Sequence, residues 1–319
     1  MTAQPVRIAT RASRLALWQA KHVAELLRVA EPGRSVELIE ISTTGDRAQG
    51  EPLSAFGGVG VFTREVQRAV LEGRADLAVH SLKDLPTEEV DGLVLAAVPE
   101  RGPRFDALVL PAGDPHPSGL DVIPHGARIG TGSIRRQAQL RAVRPDFVLR
   151  EVRGNVETRV RKLDQGEYDA LVLAEAGLRR IGLADRIGLV LRPPLMFPAA
   201  GQGALGIECR SRDDATRALL ARIADRAAEV AVRAERALLA ELRAGCHAPV
   251  GVDAAVEGDW IVLSAVVLSA DGTRRIEARH AGAADDPIAA GRETARLLVE
   301  RGAAALLDPA ESDRPAPEV

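Results

Sequence analysis

Two spacings of apolar positions alternate along the first two thirds of the chain. Short β-branched runs predict strands, and stretches with apolar residues every three or four positions predict helices. The pattern predicts strands at 6–10 (VRIAT), 35–42, 75–81, 93–99, 127–131, 147–152 and 168–176. It predicts helices at 13–30, 62–74, from Ser133, and at 156–165. Ser13 precedes the first apolar helical position, where its hydroxyl can cap the helix. Such βαβ alternation calls for mostly parallel sheets covered on both faces.

Two Pro/Gly-rich stretches, 99–107 and 191–206, break this pattern and read as paired hinge segments around an inserted domain. Beyond Gly206 the spacing changes. A long helix is predicted over 227–245, and strand alternation at 261–282 surrounds an Asp271-Gly272 turn, the signature of an antiparallel hairpin. A last helix covers 287–307. The fold class expected is α/β: two α/β domains followed by a smaller α+β domain. The limits read from the pattern are 1–103 with 204–223, then 104–203, then 224–319, with a polar, Pro-rich tail at 309–319 expected to be disordered.

Composition narrows the classes. A length of 319 residues suits two or three domains. Aromatics are 3% of the chain, too few for base-stacking platforms, and the net charge of −3 gives no overall pull toward nucleic acid. No run is long and apolar enough for a membrane span, and the first residues lack a secretory apolar core, so a cytoplasmic location is expected. Two cysteines, Cys209 and Cys246, cannot build a disulfide framework or a four-thiolate metal site, and no metal is expected.

The chemistry collects where the predicted strands end, which is where open α/β sheets bind ligands. Arg11 and Ser13 follow the first strand, and Lys83 and Asp84 the third. Ser133, Arg135 and Arg136 follow 127–131, Arg153 and Arg159 follow 147–152, and Arg180 follows 168–176. An arginine at a helix start works against the helix dipole unless an anion is present. Each alone reads as a surface ion-pair partner; a whole set at equivalent ends points to a polyanion in a cleft between two domains. Nucleotide-binding glycine motifs are absent; FGGVG (56–60) reads as a loop. Only three of 42 basic residues are lysine, so Lys83 reads as a position that wants a compact ammonium. Asp84, a carboxylate among cations, stays ionised and can stabilise a cation or carry a proton. Cys209 suits a buried small apolar residue. Cys246, between Gly245 and Pro249, suits a covalent attachment point better than half of a thiol dyad with His247.

Six ordered motifs resemble the porphobilinogen deaminases (hydroxymethylbilane synthases): RIATRASRLALWQA, VHSLKDLPT, GTGSIRRQAQL, RGNVETRVRKLDQGEYDALVLAEAGLRRIGL, PAAGQGALGIECR and ERALLAELRAGCHAPVG. The resemblance implies three domains, the first two like type II periplasmic binding proteins. It implies a monomer with a dipyrromethane cofactor, built from two porphobilinogen units and held by a thioether on Cys246. Four porphobilinogens then join head to tail with loss of ammonia, and hydrolysis frees the linear tetrapyrrole. Each pyrrole carries an acetate and a propionate, so the growing chain is a polyanion. By the same resemblance Asp84 is the catalytic carboxylate, and Lys83 and Ser133 contact cofactor carboxylates. Arg11, Ser13, Arg135, Arg136, Arg153, Arg159 and Arg180 bind the acidic side chains, and Gln19 lies near the substrate. Three positions depart from the family pattern: Ala55 and Val59 stand where lysines are usual, and Gly132 where serine is usual. Either neighbouring arginines such as Arg47 or Arg64 supply the missing charge, or chain elongation is weaker. The alternatives from the residues alone are a non-catalytic polycarboxylate-binding protein of the same two-lobed shape and, ranked last, the ligand-sensing module of a regulator.

Overall fold

A computed structural model describes residues 4–43, 63–114, 116–244 and 248–307. The first lobe is a five-stranded sheet with the order β2-β1-β3-β10-β4. Its strands are β1 (Val6–Arg11), β2 (Val36–Ile41), β3 (Leu77–Ser81), β4 (Leu93–Ala97) and β10 (Leu205–Arg210). β1 runs parallel to β2 and β3, while β10 is antiparallel to both β3 and β4. Helix α1 (Arg14–Ala30) starts at Ser13, whose Oγ accepts from Ala16 N at 3.3 Å, and buries Ala20, Val23, Ala24 and Leu27 against one face. Helix α2 (Arg64–Leu71) buries Val66, Ala69 and Val70 against the other. Burial on both faces is what makes the central β3 read as a continuous apolar run, while the edge strand β2 stays half-exposed.

The second lobe repeats the arrangement in the order β7-β6-β8-β5-β9. Its elements are β5 (Asp106–Val109), β6 (Arg128–Gly130), α3 (Ile134–Val143), β7 (Val148–Arg150), α4 (Val156–Asp164), β8 (Ala170–Ala174), α5 (Glu175–Arg180) and β9 (Ile187–Leu191). Here β5 is the antiparallel strand, between β8 and β9. Ser133 and Asn155 cap α3 and α4. The apolar run read as one strand to 176 changes to helix at Glu175. β5 and β9 are strands that the spacing did not predict.

The third unit is an antiparallel sheet, β11 (Val250–Glu257), β12 (Trp260–Leu268) and β13 (Arg275–Ala283). The expected Asp271-Gly272 turn joins β12 to β13. Helices α7 (Arg226–Glu241) and α8 (Pro287–Glu300) cover one face through Ala234, Leu238, Ala295 and Leu298. The expected last helix divides at Gly302 (φ +94°) into α8 and a short α9 (Ala304–Leu307). Helix α6 (Asp214–Ala221), also unpredicted, follows β10.

The two hinge segments meet at this third unit. Arg101, 9% exposed, makes a two-pronged ion pair with the fully buried Glu235 of α7 at 2.8 and 3.0 Å. Glu235 also accepts from Gly201 N at 2.7 Å, and Arg101 Nε donates to Gln202 O at 3.0 Å. The segments also touch directly, Gly102 N donating to Gly203 O at 3.2 Å. Gly203 has φ +83°, and a β-carbon there would lie 2.6 Å from Gly102 O, so the crossing is closed to any other residue.

Candidate active site

The cleft is assembled from the C-terminal strand ends of both lobes. In the first lobe β3 ends at Ser81 and passes into a single tight turn, Leu82–Asp84. Leu82 is a buried plug, 1% exposed, and its N–H donates to Ala204 O at 3.1 Å. Plugging Leu82 inward turns Lys83 and Asp84 outward, half-buried and exposed respectively. Gly201 packs against the same turn: a β-carbon there would lie 3.2 Å from Lys83 N. Gln19, buried on α1, donates from Nε2 to Ser81 Oγ at 2.7 Å, fixing the last residue of the strand.

The second lobe supplies guanidinium groups. Arg135 and Arg136, both 5% exposed, open α3 and converge on Asp106, which is fully buried at the start of β5. Arg135 Nη1 donates to Asp106 Oδ2 at 2.7 Å, and Arg136 Nε donates to Asp106 Oδ1 at 2.9 Å. Arg136 Nη1 also donates to Val172 O at 3.0 Å, and Gln202 Nε2 donates to Asp106 Oδ1 at 3.0 Å. Burial would raise the Asp106 carboxyl; the two guanidiniums outweigh it and hold the group well below the usual carboxylate range. The anion that offsets the dipole at the start of α3 is therefore supplied in part by the chain itself, whereas the sequence reading assigned it to a ligand.

Lys83, Asp84, Asp106, Arg135, Arg136 and Arg159 lie within electrostatic reach of one another. Burial pushes the Lys83 ammonium down to about 8; Asp84 and Asp106 oppose the shift, and Arg136 and Arg135 add to it. Arg159, on α4, is pushed down to about 10 by burial and then by Arg136. Arg159 Nε donates to the carbonyl of Gly154 at 2.8 Å, and among the described residues no carboxylate lies within ion-pair distance of it. Four cations thus face two carboxylates, which leaves room for the negative charge of a dicarboxylate.

The other expected residues are spread along the cleft. Ser133 Oγ is engaged as the α3 cap, accepting from Arg136 N at 3.5 Å. Arg180, pushed down to about 10 by burial, donates to Gly203 O at 2.6 Å, and its guanidinium lies 5.4 Å from the ring centre of Trp18 on α1. It bridges the lobes rather than joining the Lys83 cluster. Arg153 pairs with Glu151 at 2.5 Å near the surface, and Arg11 and Ser13 stand at the junction of β1 and α1. Cys246, Arg47, Ala55 and Val59 lie outside the described residues. Arg64 opens α2. At Gly132 a serine β-carbon would come within 3.2 Å of Val152 O, a tight fit in this backbone. Sequence reasoning missed Asp106 and Gln202; the available signal was an acid opening the apolar run DALVL. No group of three or more metal-ligating side chains occurs among the described residues.

Comparison with known proteins decides the family. The model described as "Porphobilinogen deaminase, dipyromethane cofactor binding domain" matches residues 6–218, and the one described as "Porphobilinogen deaminase, C-terminal domain" matches 230–300. The chain belongs to the porphobilinogen deaminase family. Curated porphobilinogen deaminases of Stenotrophomonas maltophilia strains K279a and R551-3 are each 47% identical over 305 residues, covering 96% of this chain and 99% of theirs. Among solved structures, an ancestral cationic amino acid solute binding protein is 13% identical with a TM-score of 0.42, covering 69% of this chain and 88% of its own. Family membership supports the enzyme reading and gives none to the non-catalytic binding protein. The cleft of this deaminase fits the acidic cofactor that the family model names: its cations outnumber its acids, and Arg159 and Arg180 are desolvated with no carboxylate within ion-pair distance among the described residues.

Proposed function

We propose that this chain joins four porphobilinogen molecules head to tail, releasing ammonia at each addition, to give hydroxymethylbilane for tetrapyrrole synthesis. Family membership supports this together with one observation: an exposed carboxylate, Asp84, beside a half-buried lysine and opposite a cluster of buried guanidiniums. Lys83, Ser133, Arg135, Arg136 and Arg159 hold acetate and propionate groups. Arg11, Ser13, Gln19, Arg153 and Arg180 line the path of substrate and product. When bound, dipyrromethane supplies the free pyrrole carbon to which each new unit is joined. Asp84 accepts hydrogen bonds from pyrrole N–H groups and stabilises the cation left on the substrate as ammonia departs.

Several finer readings go with this proposal. Cys246 carries the cofactor through a thioether. The enzyme works as a cytoplasmic monomer, without nucleic acid or membrane; among the described residues no helix is long and apolar enough to cross a membrane. The domain limits go with the proposal: 1–103 with 204–223, 104–203 and 224–319, a division supported by the grouping of the strands into three sheets. The test is intact mass of the purified protein and of Cys246→Ser, before and after porphobilinogen. The expected result is an adduct of two pyrrole units, growing in single pyrrole steps, in the first and not in the second. An unmodified chain after reconstitution with porphobilinogen would overturn the reading.

A further inference from the structure

Beneath the Lys83–Asp84 turn, on the sheet face that packs under α2, lies a second polar cluster that the chemistry above does not use. Glu208 on β10, His80 on β3 and Gln67 on α2 are 7%, 6% and 4% exposed. Gln67 Nε2 donates to both Glu208 oxygens, at 3.2 and 3.0 Å. His80 Nε2 lies 3.0 Å from Glu208 Oε2 but off the line of a hydrogen bond, an electrostatic contact. The β10–β4 ladder slips between Ile207 and Glu208, and such a bulge re-aims the side chain beside it.

The third unit reaches the same place. Arg236 of α7 donates from Nη1 to Leu85 O at 3.2 Å and from Nη2 to Pro86 O at 2.7 Å. Burial lowers its pKa, and attraction to Glu208 and then Glu89 opposes that. His80 precedes Lys83 and Asp84 and Leu85-Pro86 follows them; His80 contacts Glu208 at 3.0 Å, and Arg236, which holds Leu85-Pro86, is drawn toward the same carboxylate.

A buried carboxylate is costly unless its charge is used. Gln67 needs only an acceptor oxygen, which a neutral amide would provide. Arg236 is the partner that needs the charge, and His80 Nε2 packs against the same carboxylate at 3.0 Å. We infer that Glu208 is a positioning residue for the Lys83–Asp84 turn, acting through His80 on one flank and Arg236 on the other. The inference rests on the reading of Asp84 as the catalytic carboxylate.

The experiment compares cofactor-loaded wild type with Glu208→Gln, Arg236→Lys and the double variant, normalised to the loaded fraction by intact mass. Glu208→Gln keeps shape and an acceptor for Gln67 and removes only the charge. The expected result is a kcat lowered about tenfold with KM within about twofold, because the turn carrying Asp84 loosens while the arginines opposite are untouched. Arg236→Lys keeps the charge but not the fork and shifts kcat the same way. The double variant falls little below the worse single one, as members of one unit do. Hydrogen exchange adds a readout independent of turnover: amides of 82–85 exchange faster in Glu208→Gln, while the melting temperature stays within a few degrees. Wild-type kcat and wild-type exchange at 82–85 in Glu208→Gln would overturn the inference. So would a loss confined to melting temperature and folded yield. A wild type with no pyrrole adduct would instead sink the deaminase reading, and the exchange comparison would still decide whether Glu208 holds the turn.

Discussion

Each lobe threads one antiparallel strand through its sheet, and each of those strands buries one acid. On β5 the acid is Asp106, paired in register with Ala174, the last residue of β8. On β10 it is Glu208, paired with Ala78, three positions short of the end of β3 at Ser81. At about 3.4 Å per residue, Glu208 lies roughly 10 Å deeper below the cleft than Asp106. The partners follow from depth. Asp106 is at the strand end and gathers the two guanidiniums proposed to bind acidic side chains; Glu208 meets a neutral amide and a histidine, and steadies a turn from below. One sheet topology thus gives an acid two roles, set by where along the strand it falls.

The largest effect tests Asp84, the carboxylate proposed as catalytic, on a turn with no counterpart in the second lobe, where β8 passes straight into α5. Asp84→Asn is expected to lower kcat at least about 100-fold while the two-pyrrole adduct remains by mass. Retained turnover would place the chemistry elsewhere in the cleft.

Next comes the acid at the strand end. Asp106→Asn leaves two buried guanidiniums without their counter-charge, and a loss of about 3–5 kcal/mol in urea unfolding is expected. The sign with pH follows from the depressed carboxyl. Its contribution is full above the usual carboxylate range and is lost as pH falls toward the lower folded value. The variant should therefore lose less stability than wild type as pH falls below about 4. Equal acid limbs would mean that the pair contributes nothing.

Lys83 sharpens the comparison from the other side of the cleft. Its ammonium is pushed down to about 8 from 10.5, so the cleft loses one cation as pH rises through 8. KM for porphobilinogen should rise a few-fold there in wild type and stay flat in Lys83→Arg. Since the folded state holds that proton less tightly than the unfolded one, this group makes stability rise, not fall, between about pH 8 and 10.5. Smaller still is Arg180→Gln. Losing the guanidinium over Trp18 should shift the emission of Trp18, isolated in a Trp260→Phe background, with about 0.5–2 kcal/mol of stability lost. The smallest effect belongs to Arg153→Ala, at a pair near the surface, where thermal unfolding should change by less than about 1 kcal/mol.

Much of this architecture was readable before any coordinates. Ser13 and Ser133 announced their helices as caps, and the doubly covered strands announced themselves as apolar runs. β5 and β10 did not. β5 is only four residues long, and Leu205 pairs with Ser81 across the whole second lobe, a contact that no local period encodes. The arginines of the α3 start were legible as anion seekers, but Asp106 was not legible as their first anion. An acid at the edge of an apolar run looks like the point where a strand meets water. Here it is fully buried, because two guanidiniums from a distant helix make burial tolerable. Glu208 was hidden in the same way inside LGIECR, and the hinge glutamine Gln202 inside a stretch that reads as loop.

The swapped strand also sets an order of manufacture. A ribosome releases β5 to β9 as one continuous stretch, so the second lobe can close its sheet while translation is still under way. The first lobe cannot. By Ala97 it has four of its strands, but β10, the strand that joins β3 to β4, emerges only after the whole of the second lobe. Until Leu205–Arg210 arrives, the nascent chain carries two unpaired strand edges, and the turn that presents Lys83 and Asp84 has neither Ala204 above it nor Glu208 beneath it. The Lys83–Asp84 corner, encoded near the start of the message, is among the last parts of the molecule to take shape.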